Sequence, residues 1–142
     1  MRLSSLADYA VVLLAATVRR GGDARITATA LAEETGLPLP TVQKLVSRLS
    51  AAGLIETGRG TGGGFRLARV ADAISLADII EAIEGPIALT TCVDTTRHDC
   101  AVEAACAIRP HASTVNGVVR GALAGVSLAT LANTGARPQE VL

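Results

Sequence analysis

Tryptophan is absent from this 142-residue chain, and phenylalanine and tyrosine occur once each. A core built on large rings is therefore excluded, yet hydrophobic residues make up 49% of the sequence. Ala, Val and Leu must supply that core, and small aliphatic side chains let helices approach closely, so the fold class expected is mainly α. No apolar run is long enough to span a bilayer, because the first one is interrupted by Asp8 and closed by Arg19-Arg20. No signal-peptide cleavage pattern follows it. Three cysteines cannot complete a secreted disulfide framework, which points to a cytoplasmic protein without a membrane partner.

Charge of one sign is lacking too, since the net charge is zero. Its distribution is uneven: residues 1–70 hold nine Arg and Lys against five Asp and Glu, and residues 71–142 hold four against eight. The basic half is the natural candidate for a nucleic-acid surface.

Cysteine is missing everywhere except Cys92, Cys100 and Cys106, with seven residues between the first pair and five between the second. Clustering of this kind suggests a shared metal rather than three scattered core residues. No C-x-x-C knuckle is present, and three thiolates with one position left over suit an iron-sulfur cluster at least as well as zinc. Small apolar filling of a loop is the plain alternative. A nucleophilic-cysteine enzyme would need a positioned base. His98 and His111 are the only histidines, and no oxyanion-type motif surrounds a cysteine, so no enzyme is expected. His98 reads first as a solvated loop residue.

Along the chain, Ser5-Leu6-Ala7-Asp8 fits a capping box opening a helix that runs to Arg20 before Gly21-Gly22. Leu6, Ala10, Leu13, Leu14 and Thr17 form one stripe; Val11, Val12 and Ala15 lie on the other side with Asp8, so a partner subunit is expected there. Thr27 caps a second helix that Gly36 closes. After Leu37-Pro38-Leu39-Pro40 a third helix runs to about Ala52, with Val42, Leu45, Val46 and Leu49 inward. Thr41, Gln43, Lys44, Ser47 and Arg48 face away from that stripe. A short helix, a tight turn and a longer helix with a hydrogen-bonding outer face make a helix-turn-helix. Leu54–Thr57 and Phe65–Ala68 read as two strands around the glycine-rich tip Gly58–Gly64. That tip is not a phosphate loop, because no Lys-Ser/Thr opens a helix after it. It reads as a wing, with Arg59 reaching DNA. Ser75–Asp78 is a second capping box, and Gly85-Pro86 ends its helix. After the cysteine loop, Val115, Val118, Val119, Ala122, Leu123 and Val126 form a stripe suited to pairing with its own copy, a long C-terminal dimerisation helix. Residues 133–142 read as a flexible tail. The domains expected are 1–70, a winged helix-turn-helix, and 71–132, a connector helix, cysteine loop and dimerisation helix.

Taken together, Met1–Ser4 with Asp8-Tyr9-Ala10, the helix-turn-helix, Arg59–Leu67, Ser75–Gly85 and the cysteine loop resemble the Rrf-type iron-sulfur transcription regulators over residues 1 to about 132. Leu37–Val42 and Glu84–Thr90 are most similar to the Suf-type branch, the regulators of cluster assembly. The resemblance implies a homodimer that binds an imperfect palindrome in promoter DNA, and a 2Fe-2S or 4Fe-4S cluster held by Cys92, Cys100 and Cys106. It implies a repressor of cluster-assembly genes; a zinc-stabilised regulator or a nitric-oxide or redox sensor of the same family is the alternative. The first cysteine gap is wider than in the Isc-type and nitric-oxide-sensing members, and a Cys-x-x-His element is missing. The fourth ligand is therefore sought among Asp8 of the partner subunit, His111 and Glu103, with Asp8 first because the nitric-oxide-sensing branch shares the Asp-Tyr pair.

Overall fold

The computed structural model describes residues 2–21, 24–58, 63–94 and 100–133. Helix α1 spans Ser5–Arg19, α2 Ala28–Thr35 and α3 Leu39–Ala51; strands β1, Ile55–Gly58, and β2, Gly64–Leu67, follow. Helix α4 spans Leu76–Glu84, α5 Arg109–Ala124 and α6 Leu128–Ala132. The fold is a mainly helical winged helix-turn-helix with a two-stranded antiparallel wing and a C-terminal helix. Among the described residues, no helix is long and apolar enough to cross a membrane.

Local chemistry sets most helix ends. The Thr27 hydroxyl accepts from Ala30 N–H at 3.2 Å, and Gly36 closes α2 at φ 75°, where a Cβ would be strained. Ser75 and Asp78 exchange both bonds of a capping box, at 2.9 and 3.0 Å. At α1 the expectation needs correction. Ser4, not Ser5, is the cap, with its hydroxyl accepting from Ala7 N–H at 3.1 Å. The Ser4 amide in turn donates to Glu84 Oε1 at 2.9 Å, so the C-terminal end of α4 fixes where α1 begins. Asp8 is left without the capping role that a start at Ser5 would give it.

The core lies between α1 and the elements around it: α1 packs on α2, α4 and α6, and α3 on α2 and α4. Ala7, Ala10, Leu13 and Leu14 of α1, Leu31, Val42, Leu45 and Leu49 of the helix-turn-helix and Leu128 of α6 are fully buried. Phe65 is 1% exposed, so the one phenylalanine is spent where the wing meets the core. Truncating such a side chain to alanine typically costs about 3–5 kcal/mol. On α1, Ala15 is covered within the subunit while Asp8 and Val12 are exposed.

The long C-terminal helix expected is α5, and a separate short helix, α6, follows it. Helix α5 stops at Ala124, and Val126 and Leu128 pair their backbones with Leu76 and Ile74, each bond 2.8 Å. This bridge between Ser75 and Ser127 turns α6 back onto α1, where Arg19 Nε donates to Ala132 O at 3.2 Å. Helix α5, by contrast, has no buried residue. Apart from Asn133, the expected tail lies outside the described residues.

Candidate functional site

The candidate reading surface is built on α3. Pro38 precedes the helix and Pro40 lies in its first turn, where a missing N–H costs nothing. With Val42, Leu45 and Leu49 fully buried, the geometry of the helix turns Gln43, Lys44, Ser47 and Arg48 outward, and all four are exposed; Thr41 is half-buried. Gln43, Lys44 and Ser47 have no side-chain partner among the described residues. Arg48 differs: its Nη1 donates to the Ile83 carbonyl at 2.9 Å, in the last turn of α4. Arg59 lies outside the described residues.

Behind the wing tip, β1 and β2 pair in register from Ile55 opposite Leu67 to Gly58 opposite Gly64. Ile26 adds one more rung through two 2.9 Å bonds with Phe65. Gly64 sits at φ 122°, and a Cβ there would stand 2.5 Å from Ile26 O, so only glycine lets this rung close. Arg66 pairs with Glu56 directly opposite, both nitrogens 3.2 Å from Oε2.

The cysteine connector begins where Gly85, at φ 86°, ends α4. Two side chains then hold the chain that follows. Glu81 Oε2 accepts from Ile87 N–H at 3.0 Å. Asn116, on α5, donates to Ile87 O and accepts from Leu89 N–H, both at 2.9 Å, as a neighbouring strand would. Arg120 donates to Glu81 Oε1 at 2.6 and 3.1 Å, and that carboxylate's bond and charge raise the Arg120 pKa. The connector is thus clipped to both α4 and α5 immediately before the first cysteine. None of this was legible beforehand, because Asn116 and Glu81 act on partners far away in sequence and carry no local motif.

Cys92 lies in a short 3-10 turn, Thr91–Val93, with its sulfur 3.1 Å from Thr90 Oγ1. With Arg109, Pro110, Ser113 and Asn116 it lines a cleft of about 480 Å³ at the start of α5. Cys100 and Cys106 are half-buried, and Cys106 O accepts from Arg109 N–H at 3.4 Å as α5 begins. All three thiols are free of disulfides. Glu103 opens a second 3-10 turn, Glu103–Ala105. His111 is exposed on the first turn of α5, Asp8 is exposed on α1, and His98 lies outside the described residues. Among the described residues, no three His, Cys, Asp or Glu side chains are gathered closely enough to hold a metal ion. The sequence therefore places three soft donors on one connector, and the fold orders the approaches to them.

Residues 3–134 match the family model Rrf2, described as an iron-dependent transcriptional regulator. Over 86 residues the chain is 36% identical to the HTH-type transcriptional regulator IscR of Cereibacter sphaeroides, a match covering 59% of this chain and 56% of that protein. It is 33% identical over 92 residues to IscR of Erwinia tasmaniensis, covering 65% and 56%. The chain thus spans little more than half the length of these curated relatives. Among solved structures it is similar to CymR, the global cysteine regulator of B. subtilis, with a TM-score of 0.70, 27% identity and coverage of 93% and 96% of the two chains. T. potens IscR shares the fold at a TM-score of 0.69 and 23% identity, covering 100% and 93%.

Proposed function

The chain belongs to the Rrf2 family of transcriptional regulators, and from that premise we propose that it is a homodimeric promoter-binding repressor whose iron-sulfur cluster state sets its hold on DNA. It is a DNA-binding regulator and not an enzyme. The observation that carries the sensing part is the placement of all three cysteines on the one connector between α4 and α5, with α4 itself bonded to the recognition helix through Arg48.

The donor set fits such a cluster in kind, since thiolate sulfur is what cluster iron takes and none of the three thiols is in a disulfide. Cys92, Cys100 and Cys106 would hold it, with Asp8 of the partner or His111 as the fourth ligand. When bound, a cluster supplies an oxidisable, iron-dependent group at this point of the chain. This chain's own residues do the rest. Gln43 reads base edges, Thr41 and Ser47 reach bases or phosphates, and Lys44 and Arg59 fix register on the backbone, while Arg48, expected beside them, is held by the Ile83 carbonyl and ties this helix to α4. Tying the cysteines together orders the connector, and Glu81 and Asn116 pass that order to α4 and α5. The exposed Val115 and Val118 on α5, with Val12 on α1, supply the apolar surface for a second copy.

Residues 1–70 act as the reading head and 71–132 as the sensing and pairing part. Cluster-assembly genes as targets rest on the resemblance of Leu37–Val42 and Glu84–Thr90 to the Suf-type branch, and a place in the cytoplasm rests on the odd cysteine count. The test is promoter affinity of anaerobically purified and cluster-free protein, with the dimer fraction monitored. A brown holo form whose affinity differs from the apo form supports the reading. Identical affinities rule out sensing, and a colourless protein carrying zinc rules out the cluster.

A further inference from the structure

The fold half that carries the helix-turn-helix holds most of the cations, and the structure shows how few of them are free. Arg19 is bonded to Ala132 O, Arg20 to Glu34, Arg48 to Ile83 O, Arg66 to Glu56 and Arg69 to Ala73 O. Of the described cations in residues 1–70, that leaves Arg2, Arg25 and Lys44 with no hydrogen-bond or ion-pair partner among the described residues. Arg2 lines a groove beside α4 and α5, away from the wing. Lys44 is on the recognition helix. Arg25 is the one that sequence reading passed over.

Its position follows from the sheet. Ile26 is bridged to Phe65, so Arg25 lies level with Arg66 and Glu56 on the face opposite the buried Ile26, Phe65 and Ile55. Arg66 and Glu56 neutralise each other there, and the Arg25 guanidinium is turned away from them toward the tip. It lies over the backbone of Gly58, in the space that a Cβ at that position would fill. Opposite Gly58 stands Gly64, also without a side chain. A pair of facing glycines at the wing base thus forms a smooth seat across which a long side chain from a third segment reaches the point where the tip begins.

We propose that Arg25 is a phosphate-binding residue of the wing, seated by Gly58 and directed along the DNA backbone that the wing approaches. This rests on the DNA-binding reading above. It assigns Gly58 a task distinct from turn flexibility, that of leaving room for a cation. A phosphate contact of this kind carries no base preference, and it adds one released counterion to binding.

The test uses the full chain and two short duplexes, one selected by the protein from a random pool and one unselected, titrated over a range of salt. Arg25→Ala is expected to bind both duplexes roughly three- to tenfold more weakly, with the slope of log affinity against log salt reduced by about one. Arg25→Lys should keep most of the slope. Gly58→Ala, whose Cβ displaces only the mobile end of Arg25, should reproduce the weakening without lowering the melting temperature. Wild-type affinity and slope in Arg25→Ala would overturn the assignment, as would a loss confined to the selected duplex, which signifies base readout. If the wild-type protein retards neither duplex, the DNA-binding reading itself has failed, and the assignment fails with it.

Discussion

Arg48 of the recognition helix donates through Nη1 to the carbonyl oxygen of Ile83, 2.9 Å away in the last turn of α4. A cation there meets the negative end of the helix dipole and an orphan carbonyl at once. Arg48→Ala should therefore lower stability by about 1 kcal/mol, read as a lower urea midpoint at unchanged slope. Lys44→Ala, on the same helix and without a partner, should leave the midpoint within about 0.5 kcal/mol and weaken DNA binding only. Equal midpoints for the two variants would mean that the Arg48 bond does not stabilise the fold.

Asn116 is the clip between α5 and the connector. Removing its two hydrogen bonds in Asn116→Ala should cost roughly 1–2 kcal/mol. The Leu89 amide should lose protection from hydrogen exchange first, because its acceptor is gone. If the cysteine loop depends on this clip, the reconstituted cluster of the variant should bleach faster in air. Unchanged Leu89 exchange would show that the bond is not maintained in solution.

Base readout is proposed for Gln43, which is exposed and without a partner among the described residues. Gln43→Ala should relax preference at one base pair per half-site, with a cost on the order of 1–3 kcal/mol there and little change on random DNA. A loss of the same size on random DNA would move Gln43 from base contact to backbone contact.

Val118 is 68% exposed on a helix with no buried residue. Val118→Glu should leave the subunit folded, with an unchanged circular dichroism spectrum, and should shift sedimentation toward the monomer. A variant that sediments as the wild type does would exclude this part of α5 from the subunit interface.

The proposed fourth cluster ligand is tested by reconstituting Asp8→Ala and His111→Ala side by side without oxygen. Since Ser4 and not Ser5 caps α1, Asp8 has no capping bond to lose, so a change in the Asp8→Ala spectrum reports on the cluster rather than on helix fraying. The expected result is an altered visible spectrum and shorter lifetime for Asp8→Ala alone. The reverse pattern would assign the ligand to His111 and end the cross-subunit idea.

By itself the sequence determined what depends on neighbours a few residues away. Thr27 with Gly36, Ser75 with Asp78, and Gly85 mark helix ends because a cap bond closes within one turn, so its chemistry is written in adjacent letters. The inward stripe of α3 was readable for the same reason, and once it is buried Gln43 and Lys44 must face out. Spacing alone singled out the three cysteines as candidate donors, and all three lie on the connector between α4 and α5. Only the tertiary structure decided the choices in which two local solutions were nearly equal or the partner was distant. Ser4 wins over Ser5 because Glu84, eighty residues on, takes the Ser4 amide. The apolar stripe runs past Gly125 to Val126, yet the helix ends after Ala124, where backbone pairing with Ile74 and Leu76 satisfies groups that leaving the helix frees. Which arginines remain available to a ligand is likewise set by distant acceptors: charge count names nine cations in the first seventy residues, and packing decides that Arg48 is tied while Arg25 is not.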